Sequence, residues 1–282
     1  MKGAVMSDYS KYLIVTDLDG TFFGKGARLV DENLSAIEAF KAGGGHITAG
    51  TGRIPTNIRK SIPDCGILFN APAITANGAF IYDLTAETCI HSTPMDPASV
   101  KEAVTFVQEL NPRVGSRVST GKAFLVNENR MNDAILRDVG ERASFGGEIL
   151  PVEEWSIEGA LWYKVVFRGE PEDLMAVRPV VEATFGDIFE YSVSSPRFFE
   201  LQRKGCTKAT GLRLVADRLA ESLGHPVVTV AVGDQENDLP MLMAADMAAC
   251  PDNAVDKVKA VCDLHLCHHD EGCIADLIKR LT

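Results

Sequence analysis

Short apolar runs that stop at glycine and aspartate alternate along this chain with stretches whose apolar residues recur every three or four positions. Lys11–Thr16 is a β-rich run that ends in Asp17-Leu-Asp19-Gly20-Thr21. A parallel sheet delivers side chains to its C-terminal edge in this way, so the pattern predicts a strand with two carboxylates at its tip. Asp31 is placed to cap the next helix, with Leu34, Ile37 and Phe40 along one face and Gly43 to Gly45 closing it. His46–Ala49 reads as a second strand leading into Gly50-Thr51-Gly52-Arg53, and Pro55 opens another helix. Units of this length predict βαβ connections and an α/β sheet.

The same device returns near the C-terminus. Thr207 precedes a helical stripe of Leu212, Val215, Leu219 and Leu223 that Gly224 ends, and Val227–Val232 is a continuous apolar run stopping at Gly233-Asp234. Pro240 then opens a further helix. The middle differs: Ala98–Leu110 and Glu170–Phe185 read as helices, Arg117–Val126 and Leu161–Arg168 as strands, and Ile188–Ser194 with Phe198–Gln202 as a hairpin. The expected architecture is a Rossmann-like, doubly wound parallel sheet, residues 1–84 and 196–282, interrupted by an α+β module with an open antiparallel sheet, residues 85–195.

Length and composition narrow the function. The 282 residues suffice for one large domain or two smaller ones, and the 46% hydrophobic and 24% charged fractions suit a globular protein. A net charge of -11 argues against nucleic acid or an anionic membrane as the main partner. No stretch approaches the ~18 to 20 apolar residues of a membrane span. Met1–Lys11 has no apolar core of a secretory signal, and Met6 is an alternative start that would leave a disordered leader. Seven scattered cysteines, an odd number, point to a reducing cytoplasm rather than a disulfide framework.

The candidate chemistry lies at the two strand ends. Asp17 and Asp19 repel each other unless a cation sits between them or one stays protonated. With Asp234 and Asp238 at the end of another strand, the carboxylates converge on one crevice and offer the all-oxygen ligation that magnesium demands. Taken alone, Asp-x-Asp-Gly is equally a turn or a helix cap. Thr51-Gly52, between strand and helix, is suited to hold an anion, or is an ordinary N-cap. Lys208, near Arg203 and Lys204, falls in a helical first turn where a cation is unfavourable by about 0.3 to 1 kcal/mol unless an anionic ligand joins it. A solvated lysine is the plain alternative.

In combination, Asp17-Leu-Asp-Gly-Thr21, Thr51-Gly-Arg53, Lys208 and Gly233-Asp-Gln-Glu-Asn-Asp238 resemble the four ordered motifs of the haloacid dehalogenase superfamily of phosphatases. The insert between the second and third motifs, Thr75-Ala-Asn-Gly78 before it and the closing Asp270-Glu-Gly272 are similar to the Cof-type branch with its large αβ (type IIB) cap. The resemblance implies a phosphatase whose Asp17 attacks phosphorus and whose Asp19 serves as acid and then base. It further implies Mg2+ on the Asp17 and Asp234 carboxylates and the Asp19 carbonyl, with Asp238 and Asn237 in support, and phosphoryl oxygens on Thr51, Gly52 and Lys208. Gly50, Gln235 and Ala209 depart from the family's usual alanine, serine or threonine, and glycine, without removing a catalytic side chain.

The expected partner is a small-molecule phosphate ester, best a sugar phosphate, and a monomer is the default. Arg53, Asn77 and Arg168 are candidate substrate contacts, and Arg117, Lys122 and Lys164 are further cap cations that could reach in. A phosphosugar mutase and a non-catalytic sugar-phosphate sensor are the rival functions; a phosphonate or haloalkanoate hydrolase is more remote. Cys262, His265, Cys267, His268, His269 and Cys273 crowd together as if for zinc, but their spacing fits no standard zinc pattern.

Overall fold

The computed structural model describes residues 8–127 and 147–281; Met6 and the leader expected before it lie outside them. Among the described residues, five parallel strands form the core sheet in the order Leu264–His265, Met247–Cys250, Val228–Val232, Tyr12–Thr16, His46–Ala49. Alternate residues of the central strands face opposite layers. Ile14, Val230 and Val232 pack with Ile37, Phe40 and Ile274 on one side, and Leu13, Val15 and Ala231 pack with Leu212, Val215 and Met241 on the other. Both faces are therefore buried, which is why these strands read as continuous apolar runs. Tyr12–Thr16 and Val228–Val232 are neighbours joined in register, Thr16 opposite Val232, so Asp17 and Asp234 leave the sheet side by side.

The helix start at Asp31 differs from the expected cap. Asp31 is the first residue of the helix Asp31–Ala42, and no side chain caps it. Its charge instead lies in the first turn, beside the positive helix end, where it is favourable. Thr207 does cap Lys208–Leu223, accepting from the Thr210 N–H, and Gly224 at φ 77° closes that helix. The apolar stripe of this helix runs out of core before it ends: Leu212 and Val215 are buried, whereas Leu223 is 36% exposed.

Sheet membership moves both expected limits of the inserted module. Thr88–Ser92, beyond residue 84, pairs with Phe80–Asp83 in a three-stranded sheet whose strand Ala73–Thr75 continues the core edge through a Gly50–Ile74 bridge. Phe198–Arg203, beyond residue 195, belongs to the second large sheet, ordered Phe189–Ser195, Phe198–Arg203, Lys164–Arg168, Gly115–Ser119, Phe124–Asn127, Gly147–Leu150. Hairpin pairing holds each of these strands to its neighbour, and an apolar pattern cannot reveal which sheet a strand joins. Arg117–Val126 likewise divides into two antiparallel strands, and Phe124–Asn127 pairs in parallel with Gly147–Leu150, so the sheet is mixed. Helices Pro97–Leu110 and Pro171–Phe185 supply Val100, Val104, Val107, Val177 and Val181 to this module's own core.

One glycine ties the chain's passage into the cap to the core. Gly78 has φ 97°, and a Cβ there would stand 2.0 Å from the Thr207 carbonyl oxygen. The chain thus passes directly against the start of the helix that carries Lys208. Gly78→Ala should destabilise the fold by about 1 to 3 kcal/mol from backbone strain alone, read as a lower urea midpoint, with the backbone clash adding to that figure.

Candidate active site

Asp17 leaves its strand still tethered, its N–H donating to the Val232 carbonyl at 2.8 Å. The following turn brings Thr21 back so that its hydroxyl donates to Asp234 Oδ1 at 2.8 Å. Gly20, at φ 83°, makes this possible: a Cβ would lie 2.5 Å from Asp234 Oδ2. Asn253, which belongs to none of the motifs, donates to the Gly20 carbonyl at 2.7 Å and holds the turn from the other side.

Lys208 joins the carboxylates. Its Nζ donates to Asp17 Oδ1 at 2.7 Å and to Asp238 Oδ1 at 2.5 Å, with the lysine side chain fully buried. Asp238 spends its other oxygen on the N–H groups of Asp234 and Gln235, each at 3.0 Å. It is a brace rather than an open ligand. Burial works against charge on Lys208, but Asp17 and Asp238 outweigh it and hold the ammonium above the ordinary lysine value. Burial drives the Asp17 carboxyl well above the usual carboxylate range against the pull of Lys208, with Asp238 and Asp234 adding to the rise. Asp234 is pushed up to about 6 by burial and by Asp238. Lys208 is thus not solvated; its ammonium is shared between two buried aspartates.

Asp19 sits across the opening, held by both ends of the Arg53 guanidinium at 2.7 and 2.6 Å. Arg53 also donates to Ser61 at 2.6 Å and lies over the Phe23 ring. Thr51 is buried, and its hydroxyl accepts the Arg53 N–H at 3.2 Å. A cavity of about 370 Å3 lies between core and cap, where Asp17, Asp19, Thr51, Gly52, Arg53 and Asn237 face the cap's Arg117, Ser119, Lys164 and Phe198.

Three expected contacts fall elsewhere. Arg168 does not line this cavity; it shares a strand face with Lys164 and Val166, but at the strand's end it stands opposite Phe198, a lining residue, and its guanidinium stacks on that ring at 5.0 Å. Lys122 is exposed and outside the lining. Asn77 does not line the cavity either, and donates instead to Glu200 Oε2 at 2.6 Å. Glu200 was not anticipated, although a glutamate between Phe199 and Leu201 in an apolar strand is the signal that marks it. In the cysteine- and histidine-rich tail, the possible ligand group among the described residues is His268, His269 and Asp270, without any cysteine. Cys273 is buried, donating to the Thr21 carbonyl.

A sheet edge bearing convergent carboxylates, faced by a second domain, is suited to metal-assisted chemistry on a small anionic substrate. The family model of haloacid dehalogenase-like hydrolases matches residues 14–278, and the chain belongs to that family as a Cof-type phosphatase. It is 24% identical over 281 residues to 5-amino-6-(5-phospho-D-ribitylamino)uracil phosphatase YitU of Bacillus subtilis, covering 95% of this chain and 97% of the relative. It is 24% identical over 279 residues to pyridoxal phosphate phosphatase YbhA of Escherichia coli, covering 94% and 97%. Among solved structures, the subclass IIB sugar phosphatase BT4131 superposes with a TM-score of 0.79 at 22% identity, covering 96% of this chain and 98% of that one.

The donor set fits a divalent cation. Asp17 and Asp234 offer carboxylate oxygens that lie within 4.8 Å of one another and of Asp238, which supports them with both its own oxygens engaged. Burial and mutual repulsion hold Asp17 and Asp234 above the usual carboxylate range, a cost that a cation would relieve. Ionising Asp234 as pH rises from its ordinary 3.8 through about 6 costs folding stability in the metal-free protein, and a bound cation removes that cost. A divalent cation should therefore raise the melting temperature more at pH 7 than at pH 5; at a hundredfold excess over its Kd the total stabilisation is about 2.7 kcal/mol. Asp234→Asn should abolish the shift; equal shifts at both pH values would count against these ligands.

Proposed function

We propose that this chain is a magnesium-dependent phosphatase of small phosphorylated metabolites, sugar phosphates foremost, acting through a phospho-aspartyl intermediate on Asp17. The observation that carries the reading is Asp17, braced by Lys208 at 2.7 Å, facing the same enclosed cavity as Asp19, Thr51 and Gly52. Asp17 and Asp234, with the Asp19 carbonyl, would hold the metal. Bound there, magnesium would offset the repulsion between the aspartate and the phosphate ester.

In this reading, Asp17 Oδ attacks phosphorus in line with the departing alkoxide. Asp19 gives that alkoxide a proton and afterwards takes one from the water that cleaves the aspartyl phosphate. Arg53 holds Asp19 in place through hydrogen bonds from Nε and Nη2. Thr51, Gly52 and Lys208 stabilise the transferring phosphoryl oxygens. Asn237 and Asp238 support the arrangement. The cap forms the facing wall of the cavity, and its Arg117, Ser119, Ser194 and Ser195 are placed to meet the rest of the substrate. Seven free cysteines are consistent with a cytoplasmic setting, and among the described residues no helix is long and apolar enough to cross a membrane.

Phosphate release from sugar phosphates, pyridoxal phosphate, a phosphoribityl compound and p-nitrophenyl phosphate should require magnesium, stop with EDTA and vanish in Asp17→Asn. Transfer of the phosphoryl group to a second sugar hydroxyl, with none released, would replace the hydrolase by a mutase. Asp19→Asn should cost about 10²- to 10⁴-fold on a sugar phosphate. The loss should be far smaller on p-nitrophenyl phosphate, whose leaving group needs no proton. Both losses are read in kcat/KM, which stops at formation of the aspartyl phosphate and so leaves out the later base role of Asp19. Equal losses there on both substrates would remove Asp19 from the acid role.

A further inference from the structure

Lys164 and Glu200 lie on adjacent antiparallel cap strands, almost fully buried, and pair at 3.0 Å. Desolvating two charges costs about what their attraction returns, so packing alone does not account for the pair. Its ammonium crosses from cap to core. Lys164 Nζ donates to the Gly52 carbonyl at 2.7 Å. From the core, Asn77 donates through Nδ2 to Glu200 at 2.6 Å and through its backbone N–H to the Thr51 carbonyl at 3.1 Å. Ser194 adds a hydroxyl to Glu200 Oε1 at 3.2 Å.

Both carbonyls of the Thr51-Gly52 pair are thereby fixed, one by Asn77 and one by Lys164. A planar peptide whose carbonyl is fixed has its N–H aimed the opposite way. The Gly52 N–H, opposite the Thr51 carbonyl that Asn77 holds, donates to no group among the described residues. The Arg53 N–H, opposite the Gly52 carbonyl that Lys164 holds, donates to the Thr51 hydroxyl at 3.2 Å, so Lys164 acts on the loop through the orientation of that hydroxyl. Close approach is built in: a Cβ on Gly52 would stand 2.9 Å from Lys164 Nζ and 3.0 Å from Asn77 Oδ1. Asn77 itself adopts φ 56°, a left-handed conformation that asparagine accepts more readily than other side chains.

We propose that Lys164 is a positioning residue of the phosphate site, supplied by the cap and anchored by Glu200 and Asn77, which orients the Thr51-Gly52 loop toward the phosphoryl group. The inference rests on the phosphatase reading of that site. Glu200 already neutralises Lys164, so the ammonium serves the loop rather than a particular leaving group. Its effect must be common to all substrates.

The test uses the full chain with magnesium, as Lys164→Met and as the double variant Lys164→Met/Glu200→Gln. The single change leaves a buried carboxylate without its partner and can fail to fold. The double change removes both charges and keeps an oxygen to accept from Asn77. With folding verified by its melt, the double variant should lose at least about tenfold in kcat/KM on p-nitrophenyl phosphate, glucose 6-phosphate and pyridoxal phosphate, by one common factor. Its affinity for inorganic phosphate, measured by calorimetry, should fall at least as far. Unchanged kcat/KM and phosphate affinity would make the pair merely structural and overturn the proposal. So would a loss confined to one leaving group, which would mark a specificity residue. Phosphate binding by the unaltered protein without turnover would sink the phosphatase reading alone, and the affinity ratio would still decide the role of Lys164.

Discussion

A buried lysine holding two buried aspartates is the constraint around which this molecule is arranged. Lys208 reaches Asp17 and Asp238 at 2.7 and 2.5 Å, from three separate segments of the chain. Removing one partner from such a cluster is expected to cost about 3 to 5 kcal/mol, because the remaining charges stay buried. The first strand, the fourth-motif turn and the start of the Lys208–Leu223 helix must therefore arrive together. Gly20, Gly78 and Gly233 stand where these segments touch, each at a point where a Cβ would meet Asp234, Thr207 or Asp238.

The cluster leaves one face of Asp17 turned to the cavity, and everything beyond it belongs to the relation between core and cap. The core brings carboxylates and the Thr51-Gly52 loop; the cap brings Lys164, Glu200 and Arg117 on a sheet that lies over them. Hydrogen bonds from Lys164 to Gly52 and from Asn77 to Glu200 run in opposite directions across this boundary. A cap fixed this way encloses the reacting centre in low dielectric, where each of these charges has more effect than in water.

Much of the core was legible because its physics is local. Apolar runs that end in Asp17 and Asp234 could only be strands buried on both faces, and Thr207, Gly224, Pro55 and Pro240 marked helix ends by their own backbone preferences. The cap was less legible. Arg117–Val126 hides a turn at Gly121, which has φ 83°, and the strands Thr88–Ser92 and Phe198–Arg203 join sheets that local pattern does not specify. The place of Arg168 was not legible either: cross-strand pairing sets it against Phe198, a neighbour known only after pairing.

The sequence by itself determined the elements of the α/β core, the order of the motifs and the residue types that the chemistry requires. Each of these depends on interactions within a few residues or on covalent identity. Tertiary structure decided what Lys208 and Arg53 neutralise, where Asn77 points, that Glu200 is buried against Lys164, and which cap strands face the cavity. Those outcomes depend on contacts between residues far apart in the chain, whose charges and hydrogen-bonding groups find partners only when the sheets have formed.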